Sequence, residues 1–322
     1  MVAVCVRVFA VVAGWVVCAG LWSCGGGGGV PIEGGVGGGA SVAGGGSGSD
    51  RGVVVAVFPV RGTFGGELLV EDLEAAIAAL DSEIARGVEA SGGAVAGVGV
   101  VVERDSVSGM VRTGGPLVEF VEGELASRGE LVLFVRRGFS AAALFGLAFE
   151  RVVFDPGGVL GLALTEEWEG DGGAGSLDEA GRSLALAVGQ ECARRGGHDG
   201  AIARAMQEPV GLWVSEGSGG GVRVGIGAGP SDAEFVSRPG EFLSLNSLDA
   251  ERVGLSVGVA DDARGAAAVA GVVDGGDGVV RVGGAVSAAL RAVSERRSAR
   301  IEELRARRAS AVAAIEGLEA GA

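Results

Sequence analysis

The chain has 322 residues, 48% of them hydrophobic, enough for one large domain or two small ones with a sizeable core. Its formal net charge of −15 argues against a nucleic-acid partner, because neutralising phosphates needs a basic surface. All 26 basic residues are arginine and tyrosine is absent, a bias that genome composition explains. Whatever its origin, no chemistry here can run through a lysine.

In chain order, the first element is a targeting segment over residues 1–24, MVAVCVRVFAVVAGWVVCAGLWSC. Arg7 precedes an uncharged apolar run from Val8 to Leu21, the two opening regions of a secretory signal. The run is shorter than the roughly 20 apolar residues of a spanning helix. It ends Leu21-Trp22-Ser23-Cys24, similar to a bacterial lipobox, although a tryptophan in the second position is unusual there. Two outcomes stay open: cleavage and lipidation at Cys24, or a plain signal peptide or uncleaved anchor. Residues 25–52 are rich in Gly and Ser and read as a flexible tether. The expected location is a bacterial cell envelope, the domain lipid-anchored to a membrane and outside the cytoplasm. Cys5 and Cys18 fall in the signal, so Cys192 has no disulfide partner within one mature chain and reads as a small core residue.

A folded domain is predicted over residues 53–283. Val53–Phe58 is a continuous apolar run, the pattern of a strand buried on both faces. Val70, Leu73, Ile77, Leu80, Ile84 and Val88 then mark an amphipathic helix. Val98–Val102 and Leu131–Val135 are further buried strands, separated by a helix carrying Leu117, Phe120, Val121 and Leu125. Ser140–Phe149 reads as an alanine-rich helix, and Arg151–Phe154 and Val159–Leu164 as two strands. Strands alternating with helices imply parallel βαβ units, whose sites form at the C-terminal strand ends. Two loops stand there, Asp105–Gly109 and Gly138–Ser140. Beyond Glu166 the spacing predicts a loop over Gly170–Gly175 and helices over Leu177–Arg195 and Ala201–Met206. A hairpin of Val210–Val214 with Val222–Ile226 follows, then short strands at Glu241–Leu245 and Leu255–Val259, and helices at Ser247–Val253 and Ala263–Ala270.

Residues 284–322 form an Arg-rich amphipathic helix in this reading. Leu290, Ile301, Leu304, Ala311, Ile315 and Leu318 lie near one face, interrupted by Arg297 and Arg308. Three roles stay open for it: a solvated terminal helix, a helix that pairs with another protomer, or one that touches acidic lipid.

The order VVVAVFPVRGTF, helix, VGVVVERDSVSGM, helix, ELVLFVRRGFSAAALFGLAFERVVFDPGGVLG resembles the Clp-protease/crotonase superfamily. It is most similar to membrane-associated serine peptidases of the NfeD and signal-peptide-peptidase A type. Asp105-Ser106-Val107-Ser108-Gly109 matches their Asp-Ser-Pro-Gly-Gly-like loop, Ser140-Ala141-Ala142 their serine turn, and Pro156-Gly157 with Gly161 their later glycines. Downstream, LALAVGQECARRGGHDGAIARAMQEP and LSLNSLDAERVGLSVGVADD extend the resemblance, which covers Val53 to Gly271. It implies an α/β fold of repeated ββα and βα units with a parallel central sheet. It also implies a homo-oligomer, a peptide or membrane-protein substrate, and no cofactor or metal.

The resemblance places Ser140 at the nucleophile position and Ser108 and Gly109 in the oxyanion loop. Ser108 replaces a glycine and Val107 a proline, so the loop keeps its backbone N–H groups only if Ser108 can take up a conformation that favours glycine. The base is unassigned. The family's lysine would fall near Asp178–Arg182, and Arg182, the nearest cation, cannot give up its proton. His198, the one histidine, lies far downstream. Glu103 and Glu166 are carboxylates that nothing marks out. Two functions follow: a serine hydrolase using Ser140 with a base other than lysine, or a degenerate member kept for binding or scaffolding at the envelope. Acyl-CoA chemistry is a weak third. Ser140 could equally be only a helix cap.

Overall fold

The computed structural model describes residues 52–63, 67–93, 95–109, 114–163, 166–169, 173–176, 178–217, 221–273 and 279–320. The targeting segment with Cys24 and the tether up to residue 51 lie outside the described residues. So does the side chain of Glu166.

The apolar runs become neighbouring strands. β1 (Gly52–Arg61), β2 (Val95–Ser106), β3 (Glu130–Phe139) and β4 (Val152–Gly161) pair in parallel in that order. β12 (Val279–Val282) adds in parallel outside β1. At the other edge, β11 (Gly258–Val259) pairs in parallel with the start of β4 and β10 (Ser244–Asn246) antiparallel with its end. The result is a mixed α/β fold with a largely parallel seven-stranded sheet. The strands expected at 151–154 and 159–164 are one strand: β3 bonds to Val152–Phe154 and again to Val159–Gly161, with a register shift between them.

Alternation along each strand divides the core. Ala56, Phe58, Val100, Val102, Leu133 and Val135 face the larger layer, and Val55, Val57, Val101, Val132, Phe134 and Val153 the smaller. Both faces are covered, which is why the strands read as unbroken apolar runs. The larger layer holds α1 (Val70–Ala90), α2 (Gly114–Phe120), α3 (Ala141–Gly146), α4 (Glu179–Arg195) and α5 (Gly200–Gln207). α2 continues through a π-turn at Val121–Leu125 and a 3₁₀ turn at Ala126–Arg128. α6 (Ser247–Arg252) packs behind β4 and β10, and α7 (Ala263–Val269) covers the smaller layer. Gly87 lets α1 approach β1: a Cβ there would lie 2.7 Å from a Val54 methyl.

Where a loop was expected over 170–175, β5 (Glu166–Glu169) and β6 (Gly173–Ser176) pair as a ribbon around residues that lie outside the description. The expected hairpin, β7 (Leu212–Glu216) with β8 (Val222–Ile226), gains a third strand, β9 (Glu234–Ser237).

The chain ends in α8 (Gly284–Ala320). Val286 is fully buried, and Ala289 and Leu290 pack against the main core. The Ala285 N–H donates to Glu83 of α1, and Arg297 pairs with the buried Asp72 at the other end of α1, so the two helices run antiparallel. Asp72 also accepts the Leu69 N–H at 2.8 Å, closing the first turn of α1. Among the described residues no helix is long and apolar enough to cross a membrane.

Candidate active site

Four helices open on a side chain that caps them. Asp178 accepts the Gly181 N–H, Asp199 that of Ala201, Asn246 that of Asp249 and Asp262 that of Gly265. Ser140 occupies the same position before α3 and does not: its side chain makes no capping bond. This corrects the helix-cap reading. The reason is backbone conformation. Ser140 sits at φ 58°, ψ −138°, outside the extended conformation of the other caps, so its hydroxyl turns away from the start of α3.

The hydroxyl instead crosses to the neighbouring loop, donating to the Gly109 carbonyl at 2.9 Å. The Ser140 N–H donates to the Leu162 carbonyl at 3.1 Å, and the Ser140 carbonyl accepts from Ala143. Positive φ in a non-glycine residue is costly, and surrounding contacts must hold it. Here they are the β3–β4 ladder, which reaches Phe139 opposite Gly161, and α3, whose residues Ala141–Phe145 are buried. A strained strand-to-helix turn presenting a half-buried serine is the geometry by which several hydrolases expose a nucleophile.

The loop after β2 differs. Ser108 is not among the described residues with positive φ, where the non-glycine members are Ser140 and Leu162. Its carbonyl accepts the Ser106 hydroxyl at 3.1 Å, a hydroxyl that also reaches the Gly62 carbonyl at 2.5 Å. Among the described residues of the loop, the group that meets the Ser140 hydroxyl is the Gly109 carbonyl, an acceptor. A developing oxyanion needs donors at that place.

None of the candidate bases described reaches Ser140. Glu103 is nearly buried, bonded to Arg136 at 2.9 Å and Arg61 at 3.6 Å. It shares the strand face of Val101, on the side of the sheet away from α3. His198 Nε2 lies 2.7 Å from the carbonyl of Phe149, beyond the far end of α3. Arg182 lies exposed on the first turn of α4. Among the described residues, no imidazole or carboxylate hydrogen-bonds to the Ser140 hydroxyl, and no three His, Cys, Asp or Glu side chains gather as a metal-holding group.

Two residues near the site escaped the sequence reading. Leu162, at φ 50°, carries the carbonyl that anchors the Ser140 N–H, and nothing in the sequence marks it. Arg104 is fully buried, its guanidinium 5.3 Å from the centre of the Phe145 ring in α3. Burial pushes its pKa down, partly offset by Asp105, yet an arginine keeps its proton in proteins. The signal for it was present. Val100, Val102 and Arg104 alternate onto the α3 face of β2. On the opposite face, Arg137 bonds Asp105 at 2.6 Å, and that bond holds the Asp105 carboxyl below the usual range.

No protein-family model matches the chain, and no curated protein matches it. Among solved structures, the chain is similar to a serine-to-alanine variant of the 1510-N membrane-bound stomatin-specific protease. The identity is 13% over 66% of this chain and 81% of that one, with a TM-score of 0.45. It is similar to a lysine-to-alanine variant of the same protease in complex with a substrate peptide, at 14% identity over 66% of this chain and 77% of that one, TM-score 0.45. An asparagine-to-aspartate variant of ClpP1 from Listeria monocytogenes matches at 11% identity over 65% of this chain and 94% of that one, TM-score 0.37.

Proposed function

We propose that this chain is a serine-peptidase-like protein of the cell envelope that keeps the nucleophile position, Ser140, and lacks the Ser–Lys dyad. In this reading it is anchored through Cys24, assembles as a homo-oligomer, and binds peptide segments or membrane proteins without cleaving them. The observation that supports it best is the bond from the Ser140 hydroxyl to the Gly109 carbonyl. That bond points the nucleophile's proton at a group that cannot act as a base and puts an acceptor where oxyanion donors belong. The absence of lysine from the sequence points the same way.

One observation favours the other reading, an active hydrolase with a non-lysine base. Backbone strain is retained at Ser140, and such strain clusters at working sites. A fluorophosphonate probe separates the two. The full chain is expected to label no faster than its Ser140→Ala variant. Labelling that Ser140→Ala abolishes would establish the hydrolase and overturn the non-cleaving reading.

A further inference from the structure

α8 is longer than the surface it packs on. Its contact with α1 ends near Arg297, which pairs with Asp72 and donates to the Glu67 carbonyl, because α1 begins at Val70. Residues 298–320 continue as helix past that point, about 34 Å at 1.5 Å per residue. Every residue from Ser298 to Ile315 is exposed, including Ile301 at 39%, Leu304 at 48%, Val312 at 45% and Ile315 at 56%.

The exposed apolar residues continue the buried stripe. Val286, Leu290, Val293, Arg297, Ile301, Leu304, Arg308, Ala311 and Ile315 follow one another at steps of three or four and so share one side of the helix. The first part of that side is covered by α1. From Ile301 the steps settle into a strict heptad alternation, the spacing of a seam between two helices. The flanking charges are tied along the helix itself, Arg300 and Arg307 to Glu303 and Arg305 to Glu302, so the extension persists as helix before any partner arrives.

We propose that this extension is a homodimer interface, in which α8 of two copies pair as an antiparallel coiled coil. Two features select this occupant. The stripe is continuous with the α1–α8 interface, and its charge pattern decides the orientation. A parallel pair would set Arg308 against the second copy's Arg308 in the seam and Arg300 against the second copy's Arg305 beside it, like charges in both places. Antiparallel pairing sets Leu304 against the second copy's Ile315 and Arg308 against the second copy's Ala311. The small alanine leaves space for the arginine stem to lie along the seam with its head in water. Arg305 then lies beside the second copy's Val312, and Arg307 beside its Ala314. Acidic lipid fits less well as the occupant, because residues 298–320 carry four arginines and four glutamates and so no net positive charge.

The test uses the full chain in a mild detergent, with light scattering for mass and oxidative crosslinking for orientation. Ile301→Glu with Ile315→Glu should halve the mass while helical circular dichroism stays unchanged, since both positions are exposed. Leu304→Cys with Ile315→Cys should give a disulfide-linked dimer. Leu304→Cys alone should give no more crosslinking than the unsubstituted chain, because its two copies would stand about 16 Å apart along the axis, too far for a disulfide. The proposal is overturned by an unchanged mass in the double-glutamate variant, by a monomeric parent chain, or by crosslinking of the single cysteine. A parent that is monomeric in solution yet binds anionic vesicles through residues 298–320 would also overturn it, assigning the extension to lipid.

Discussion

Two turns leave the same end of the sheet from neighbouring strands, and they are held in different ways. The turn after β3 holds Ser140 at positive φ, clamped between the β3–β4 ladder and the buried start of α3. The turn after β2 carries Ser108 without positive φ and turns the Gly109 carbonyl toward the serine. The first geometry is imposed by packing and survives as long as the core does. The second is held by hydrogen bonds, from the Ser106 hydroxyl to the Gly62 and Ser108 carbonyls and from the Ser140 hydroxyl to the Gly109 carbonyl. Val107 in this turn is 57% exposed, whereas Ala141 and Ala142 after Ser140 are buried.

The largest expected effect comes from breaking the packed turn. Gly161 stands opposite Phe139 on one side and Ser244 on the other, where three strands meet beside Ser140. A Cβ at Gly161 would lie 2.5 Å from both the Leu243 carbonyl oxygen and the Ser244 Cα, backbone atoms that cannot rotate away. Gly161→Ala is expected to lower stability by about 2–3 kcal/mol, read as a lower urea midpoint with the slope unchanged. An unchanged midpoint would mean that packing does not hold the turn.

A smaller effect isolates the strain itself. Ser140→Ala and Ser140→Gly both remove the hydroxyl bond to Gly109, but only alanine keeps a Cβ at positive φ. The glycine variant should be the more stable of the two by about 1–2 kcal/mol. Equal midpoints would show that Ser140 stores no strain, and the contrast between the two turns would vanish.

Much of this was legible in the residues. The apolar runs at Val53–Phe58, Val98–Val102 and Leu131–Val135 gave buried parallel strands, because a sheet covered on both faces leaves no polar alternation to misread. Ser140 could be placed at a strand-to-helix turn. Its φ could not, since a serine at that position reads like any cap, and Asp178, Asp199 and Asp262 show how ordinary a cap there would be. β12 was missed because Val279–Val282 is a short run that acquires meaning only beside β1, more than 200 residues earlier. β4 was divided in two because Asp155-Pro156-Gly157 reads as a turn, whereas the chain shifts register there and continues as one strand. The direction of the Gly109 carbonyl lies beyond any pattern, because a peptide plane can face either way with the same side chains.

The smallest effect tests the far end of α3. A carbonyl only accepts, so the bond to Phe149 requires the proton on Nε2 of His198. Burial lowers the His198 pKa, outweighing the opposing pull of that carbonyl and of Glu150. The neutral imidazole is thus favoured in the folded state. Its contribution is fully present above the unfolded value of about 6.5 and is lost as the pH falls from there through the lower folded value. The thermal midpoint should therefore fall on acidification below about pH 6.5, by roughly 2–4 °C for each kcal/mol in a domain of this size. His198→Gln, which keeps an N–H donor without a titration, should flatten that slope. An equal slope in both proteins would remove the imidazole as its cause. Any reactivity of Ser140 should be indifferent to the substitution, because His198 is bonded beyond the other end of the helix. A pH dependence of labelling that His198→Gln abolished would bring the histidine into the site, and Ser140 would then have a base.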